Sequence, residues 1–335
     1  MVDATHTKFS AGDRSYFSLI KKEIHQKAVE LGIPQKRVAE VDLIVAEITS
    51  NLYKYANDGE ILVGSFYEEG NPYLEIICID NGPGIANPSK MILDGFSSSN
   101  TLGHGLGSIK RLSDTFDLYS LTDWGTILLS RVYATTPAKN AKGVFIRPIV
   151  LSKPGETTSG DGFFYKSSKD VIKLMLCDGL GHGPEANLAV NEAEKNFRVC
   201  PDNDPVQTLR FLHGTIKRTR GMVANMVCLD LKNRTWTSAG IGNIGVRWLG
   251  PNLAKNHMSY NGIVGHNIPN TMNSQQYSVD EYNQVVMASD GIKTRWELSK
   301  YPMIQKCDPS ILAAAIYKDH ARQTDDMSVV VIRYK

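Results

Sequence analysis

The stretch Asp80-Asn81-Gly82-Pro83-Gly84-Ile85 follows directly on the apolar run Tyr73-Leu74-Glu75-Ile76-Ile77-Cys78-Ile79. It reads as an acidic residue at the end of a buried strand, followed by a glycine-rich turn. An aspartate so placed can accept a hydrogen bond from an exocyclic amine, and the glycines let backbone approach a flat base. Upstream, Ile61-Leu62-Val63-Gly64-Ser65-Phe66 reads as the neighbouring strand, with residues 68–72 as the turn between the two. Downstream, beyond the polar residues 94–100, Gly103-His104-Gly105-Leu106-Gly107 opens a helix through Ser108, Ile109 and Leu112. Backbone N–H groups at a helix N-terminus bind phosphate without basic side chains. The dinucleotide fingerprint does not fit, because no strand immediately precedes these glycines.

Two amphipathic helices precede the strands. Phe17, Ile20, Ile24, Ala28 and Leu31 recur at helical spacing until Gly32 ends the run. Pro34 restarts the chain where a first-turn proline costs nothing, and Val38, Val41, Ile44, Val45, Ile48, Leu52 and Tyr55 continue a second helix. Glu47 and Asn51 lie one turn apart on it and project from one face. A carboxylate and an amide in that relation can hold Mg2+ and a water or hydroxyl together. Strands at residues 116–121 and 126–133 close this half.

In order, these elements resemble the GHKL ATPase superfamily over residues 10–134. Glu47 and Asn51 fit its N box, residues 80–85 its first glycine box and residues 103–107 its second. Within it, Glu47-Ile-Thr-Ser-Asn51-Leu-Tyr-Lys-Tyr55-Ala56 and Gly103-His-Gly-Leu-Gly-Ser-Ile-Lys-Arg111-Leu112 are similar to the small bacterial serine kinases of the anti-sigma type, the RsbT switch kinases in particular. The resemblance implies ATP with Mg2+ as cofactor, Glu47 as the base that orients the acceptor hydroxyl and Asn51 as a Mg2+ ligand. It also implies nucleotide contacts from Asp80, Gly82, Gly84, Gly103, His104, Gly105, Leu106, Gly107 and Thr126, with residues 86–102 as a lid. Phosphoryl transfer needs positioning and charge neutralisation more than covalent chemistry, so this sparse set suffices in principle.

Residues 134–143 are a polar stretch without periodicity, and the linker is expected there, within 136–143, between a domain at 1–135 and another at 144–335. In the second half, aspartates recur at one end or the other of apolar strands: Ser159-Gly160-Asp161-Gly162 precedes Phe163, Cys177-Asp178-Gly179-Leu180-Gly181-His182-Gly183 closes the run from residue 171, Ser289-Asp290-Gly291 follows residues 285–288, and Thr324-Asp325-Asp326 precedes the closing strand at 327–332. Carboxylates in such places, with glycines that free a backbone carbonyl, suit hard cations such as Mg2+ or Mn2+. Two ions roughly 3.5–4 Å apart would share a water and make it a nucleophile. A single Asp-Gly pair is ordinarily a turn, but four such sites at strand ends form a pattern. Helices at residues 184–197, 206–218 and 309–320 are expected to pack on the sheet faces.

This half resembles the PPM family of metal-dependent serine/threonine phosphatases, in the compact bacterial branch typified by SpoIIE and RsbX. Ser238-Ala239-Gly240-Ile241-Gly242-Asn243 adds to the motif order. The fold class implied for the whole chain is α+β, a Bergerat-type ATP-binding α/β sandwich followed by an α-β-β-α phosphatase sandwich. By transfer, Asp178 bridges two Mg2+ or Mn2+ ions, the Gly179 carbonyl binds one, Asp290 and Asp325 bind the other, and Asp161 acts through water. Spacing does not separate Asp325 from Asp326; Asp325 is favoured. Arg147 is the nearest counterpart of the family's phosphate-gripping arginine, with a solvent-facing arginine as the alternative. His104 and His182 have no partner at ligand spacing, and Trp236, Trp248 and Trp296 read as core or interface.

Thirty-seven basic residues against 35 acidic ones, without a dense Lys/Arg block, argue against nucleic acid as a partner. Five scattered cysteines without a C-x-x-C pair read as buried free thiols of a reducing cytosol. No run approaches the ~20 apolar residues of a membrane span, so a cytoplasmic protein without membrane contact is expected. The combined resemblance implies an enzyme, a protein serine kinase joined to a protein phosphatase. Its expected partner is a STAS-domain antagonist or scaffold protein as phospho-substrate, or a sigma-pathway regulator. A nucleotide-gated anti-sigma or partner-binding module fused to an active phosphatase is the alternative reading.

Overall fold

The computed structural model describes residues 6–56, 58–91, 105–138, 140 and 142–335. Its first half runs β1 (His6–Ser10), α1 (Phe17–Glu30), α2 (Gln35–Tyr55), β2 (Gly59–Glu68), β3 (Asn71–Asp80), α3 (Pro88–Met91), α4 (Gly105–Leu112), β4 (Thr115–Leu121) and β5 (Gly125–Tyr133). Its second half continues with β6 (Val144–Leu151), β7 (Asp161–Ser167), β8 (Val171–Gly179), α5 (Pro184–Val199), α6 (Pro205–Thr215), β9 (Met222–Asp230), β10 (Thr235–Ile241) and β11 (Gly245–Leu249). Then come β12 (Ala254–Asn256), β13 (Gln275–Ser278), β14 (Gln284–Ala288), α7 (Pro309–His320) and β15 (Met327–Tyr334). The strands β2 and β3 are longer than expected, so their turn shrinks to Glu69-Gly70, both at positive φ. The helix expected over 206–218 stops at Thr215.

Three five-stranded sheets result, in the orders β1-β2-β3-β5-β4, β13-β10-β9-β8-β7 and β12-β11-β14-β15-β6. Strand alternation sorts the first sheet's side chains onto two faces. Ile61, Val63, Leu74, Ile76, Cys78, Leu128 and Val132 pack with Ile24, Val41, Ile48 and Ile109 of the helices α1, α2 and α4. Leu62, Ile77, Ile79, Ile127 and Leu129 face the other way and share one core with α7 and with Ile149, Val286, Val329 and Val331 of the third sheet. The second and third sheets then pack face to face around Trp236, Trp248, Leu174 and Val285. α5 and α6 cover the outside through Ala193, Phe197, Leu209 and Leu212. The molecule is thus a stack of helices, sheet, α7, sheet, sheet and helices, which contains both expected sandwiches with α7 common to them.

The sequence of α7 explains its place. From Pro309 to Tyr317 every residue is buried, as expected of a helix that is apolar all round. Ile311, Leu312 and Ile316 are fully buried, and each such side chain contributes about 1.5–3 kcal/mol. α7 touches β3, β4 and β5 on one side and β6 and β15 on the other.

At the N-terminal end of α7 the seam is ionic. Arg131 lies on the α7 face of β5 and is 1% exposed. It donates to Glu75 at 2.6 Å, to both Asp308 oxygens at 2.8 Å and to Ser310 Oγ at 2.7 Å. Asp308 also caps α7 by accepting from the Ser310 N–H at 2.9 Å. Burial alone would raise the Glu75 pKa; Arg131 and His6 outweigh it and hold the carboxyl down at about 2. Burial is likewise overridden at Asp308, whose pKa is lowered chiefly by Arg131. Cys78, Cys177, Cys200 and Cys228 are buried free thiols and Cys307 is half-buried. Trp236, Trp248 and Trp296 are core residues. No helix among the described residues is long and apolar enough to cross a membrane.

Candidate functional sites

Glu47 and Asn51, both half-buried, leave α2 toward the start of α4. A Cβ placed on Gly105 would sit 3.0 Å from Glu47 Oε2 and 3.5 Å from Asn51 Oδ1, so glycine lets the two elements close on each other. Leu106 packs against the helical core and Gly107 is buried. Gly103 and His104 lie outside the described residues, as do residues 92–102 of the expected lid; residues 88–91 form the single turn α3.

Asp80 ends β3, pairs with Thr126 across the sheet and accepts the Gly82 N–H at 2.7 Å. Burial raises its pKa, opposed by hydrogen bonds from Gly82 and Thr126 and by the charge of Lys318. Thr126 Oγ1 and Ser120 Oγ lie 3.0 Å apart, and Ser120 Oγ accepts the Ile85 N–H at 2.8 Å. Gly84 sits at φ +73°, and a Cβ there would come within 1.9 Å of the Leu121 carbonyl oxygen. Only glycine fits this turn. The result is a strand end that gathers amides, hydroxyls and one carboxylate, with a helix N-terminus facing Glu47 and Asn51.

The second site gathers strand ends. Asp161 and Asp178 stand opposite each other in the β7–β8 register. Ser328 Oγ donates to Asp161 Oδ2 at 2.7 Å, while Asp161 Oδ1 is buried without a hydrogen-bond partner. Asn243 donates to Asp290 at 2.9 Å, which gives the asparagine of the 238–243 motif a position that its sequence did not assign. Asp326 is buried, and its two oxygens accept the Lys153 and Gly160 N–H groups, each at 2.8 Å. Asp325 is half-buried and accepts the Asp326 N–H at 2.9 Å. Gly179 ends β8, its N–H bound to the Gly160 carbonyl at 2.9 Å.

Burial raises the pKa of Asp178, and Asp161, Asp290, Asp325 and Asp326 add to the rise. Asp161 is raised in the same way, against hydrogen bonds from Ser289 and Ser328. Carboxylates in mutual repulsion, one of them with an orphaned buried oxygen, fit a hard divalent cation with oxygen ligands. Among the described residues no three His, Cys, Asp or Glu side chains by themselves form a metal-binding group. Backbone carbonyl and water would therefore have to complete the coordination of any ion held there.

Arg147 corrects both expectations placed on it. It is 7% exposed, so it does not face solvent, and it lies at the seam 3.7 Å from Glu68 and 3.8 Å from Asp308. A cavity of about 290 Å³ beside it is lined by Phe66, Tyr73 and Tyr133 and includes no residue of either motif set. His182, expected to lack a partner, pairs with Glu156 at 3.0 Å, a contact that no local spacing rule reveals.

Residues 13–131 match the family described as histidine kinase-like ATPase domain. The serine/threonine-protein kinase RsbT of Bacillus subtilis is 40% identical over 99 residues, which cover 30% of this chain and 74% of RsbT. The phosphoserine phosphatase RsbX of Bacillus subtilis is 27% identical over 97 residues, covering 28% of this chain and 47% of RsbX, less than half of that relative's length. A crystal structure of RsbX in complex with magnesium superposes with a TM-score of 0.51 at 18% identity, over 59% of this chain and 98% of that one, a likeness of fold.

Proposed function

The chain belongs to the histidine kinase-like ATPase family, as an RsbT-like kinase half fused to an RsbX-like phosphatase half, and on that premise we propose a bifunctional switch enzyme. It phosphorylates a partner-switching regulator of the STAS type on Ser or Thr with Mg-ATP, and removes that phosphate at the acidic cluster with Mg2+ or Mn2+. The domains are 1–135 and 144–335, joined by 136–143.

In the kinase half, Asp80 reads the adenine amine, with Thr126 beside it and Gly82 and Gly84 admitting the base. Gly103, His104, Gly105, Leu106 and Gly107 cradle the phosphates at the start of α4, Asn51 holds Mg2+, and Glu47 orients the acceptor hydroxyl. In the phosphatase half, Asp178, the Gly179 carbonyl, Asp290 and Asp325 hold the cations, and Asp161 contributes through water. The cations, when bound, supply a water acidic enough to attack phosphorus. Asp326 spends both oxygens on backbone N–H groups, which supports Asp325 as the ligand and Asp326 as the residue that shapes the loop.

The observation that carries this reading is that residues far apart in sequence close into two separate clusters of complementary chemistry. The test incubates the purified protein and Asp178→Ala with ATP labelled on the γ-phosphate and candidate STAS proteins. Label accumulating on the partner more strongly with Asp178→Ala supports two activities on one substrate. With ATP binding and a cognate partner in place, absence of label from both proteins would sink the kinase assignment and leave a nucleotide-gated binding module.

A further inference from the structure

We propose that the C-terminal end of α7, a phosphatase element, is a working part of the nucleotide site. Lys318 is its positioning residue, and nucleotide occupancy biases the loop that carries Asp325 and Asp326. The inference rests on the reading of Asp80 as a nucleotide-binding residue and adds the route by which that site reaches the other.

Three consecutive residues of α7 cross the seam beside the Asp80 turn. Tyr317 Oη donates to Glu60 Oε2 at 3.3 Å, where β2 lies next to Asp80. Lys318 Nζ donates to Asn81 Oδ1, the residue between Asp80 and Gly82. Asp319 accepts from Trp124 Nε1 at 3.0 Å and from Tyr301 Oη at 2.8 Å. Lys318 Nζ also lies 4.6 Å from the centre of the Trp124 ring, so a cation–π contact fixes the side chain from below. The ammonium lies in the field of Asp319, Asp80 and Glu60, and its side-chain bond to Asn81 falls between Asp80 and Gly82, whose N–H the Asp80 carboxylate accepts. An ammonium on a flexible stem costs entropy to immobilise, and here an aromatic face and an amide restrain it.

The same segment then passes directly into the acidic cluster. The His320 carbonyl accepts the Lys293 N–H at 2.9 Å, the Gly291 carbonyl accepts the Arg322 N–H at 2.8 Å, and Ile292 bridges Ala321. These backbone ties join the end of α7 to the residues following Asp290, and Asp325 and Asp326 come next in the chain. A nucleotide that orders Asn81 also orders Lys318, and the backbone ties at His320 and Arg322 anchor the helix end shortly before Asp325. Coupling of this kind is a free energy shared between sites and acts in both directions.

The experiment uses the full chain and a fluorescent ADP analogue. Lys318→Met is expected to weaken nucleotide binding about tenfold, Asn81→Ala to do the same, and the double variant to lose no more than either single one. Lys318→Arg should recover most of the affinity, and Lys8→Met, at the lysine that bonds Gln323 across the same seam, should leave it unchanged. If Lys318→Met does not fold, Asn81→Ala and Lys318→Arg decide alone. Hydrogen exchange with saturating ADP in EDTA, where no metal ion intervenes, reads the second link. Amides at 291–293 and 322–326 should exchange severalfold more slowly in the wild type and show no change in a folded variant lacking the Lys318–Asn81 bond. Wild-type protein that binds no adenine nucleotide would overturn the nucleotide-site reading. Binding with unaltered affinity in Lys318→Met or Asn81→Ala, additive losses, or protection confined to residues 80–85 would overturn the inference alone.

Discussion

Two clusters of buried charge lie in this molecule; burial pushes the carboxyl pKa values up in both, and only one of them has the countercharge to reverse that push. At the seam, Glu75 and Asp308 bracket Arg131, His6 and Ser310 take up remaining hydrogen bonds, and both carboxyl pKa values are pulled down. In the phosphatase half, Asp161 and Asp178 face each other with Asp290, Asp325 and Asp326 nearby, and the pKa values of Asp161, Asp178 and Asp326 are pushed up. Among the described residues none of these five aspartates forms a salt bridge. The seam carries its own countercharge and so belongs to the fold. The aspartate cluster has none among the described residues, and its oxygens suit a hard divalent cation.

The largest expected effect tests the uncompensated cluster. Asp178→Asn should lower phosphate-ester hydrolysis by more than the roughly 10–100-fold that loss of a residue supporting a metal ligand costs. In EDTA, at a pH above the value of about 9 to which burial and the neighbouring aspartates push the Asp178 carboxyl, the same change should raise the thermal midpoint, since it removes a repelling charge, and at neutral pH Mn2+ should raise the wild-type midpoint but not that of the variant. A lower midpoint for Asp178→Asn in EDTA at the higher pH would erase the contrast between the two clusters.

Next in size is the compensated cluster. Arg131→Met strands two buried carboxylates and should cost about 3–5 kcal/mol in denaturant unfolding, provided the transition remains two-state. A loss under about 1 kcal/mol would mean that the seam charges are solvated in solution.

The pH dependence follows with its sign fixed by Glu75. Its folded pKa of about 2 lies below the ordinary value of 4.5, so its stabilisation is fully present above that ordinary value and disappears as pH falls from 4.5 toward 2. At about 1.4 kcal/mol per tenfold in proton affinity, the contribution is roughly 3 kcal/mol. Arg131→Met should remove this acid-sensitive component; an unaltered acid transition would assign it to other carboxylates.

The smallest effect comes from the rim of the seam. Tyr119→Phe deletes the hydrogen bond to the Pro302 carbonyl, 3.1 Å long, and should cost about 1 kcal/mol. A cost as large as that of Arg131→Met would move the weight of the seam from its ionic end to its aromatic end.

Much of the fold was legible along the chain. The helical spacing of Val38, Val41, Ile44, Val45, Ile48 and Leu52 matches α2; Asp80, Asp178 and Asp290 stand where apolar runs stop, and Asp161 stands where one begins. The helix expected at 309–320 is α7, and the strands expected at 61–66 and 73–79 lie within β2 and β3. Periodicity reports that a face is buried but not what buries it. The joining of the two halves through α7 was therefore not readable, nor was the placement of Arg147 beside Glu68 and Asp308.

The sequence by itself determined the two motif sets, their order and most elements that display them, because caps, turns and apolar spacing are local properties. Only the tertiary structure decided which charges meet. Glu75, Arg131 and Asp308 come from three distant segments, as do Asn81 and Lys318, and no spacing rule reaches across such separations. The same packing that buried these groups gave one cluster its countercharge and left the other without one.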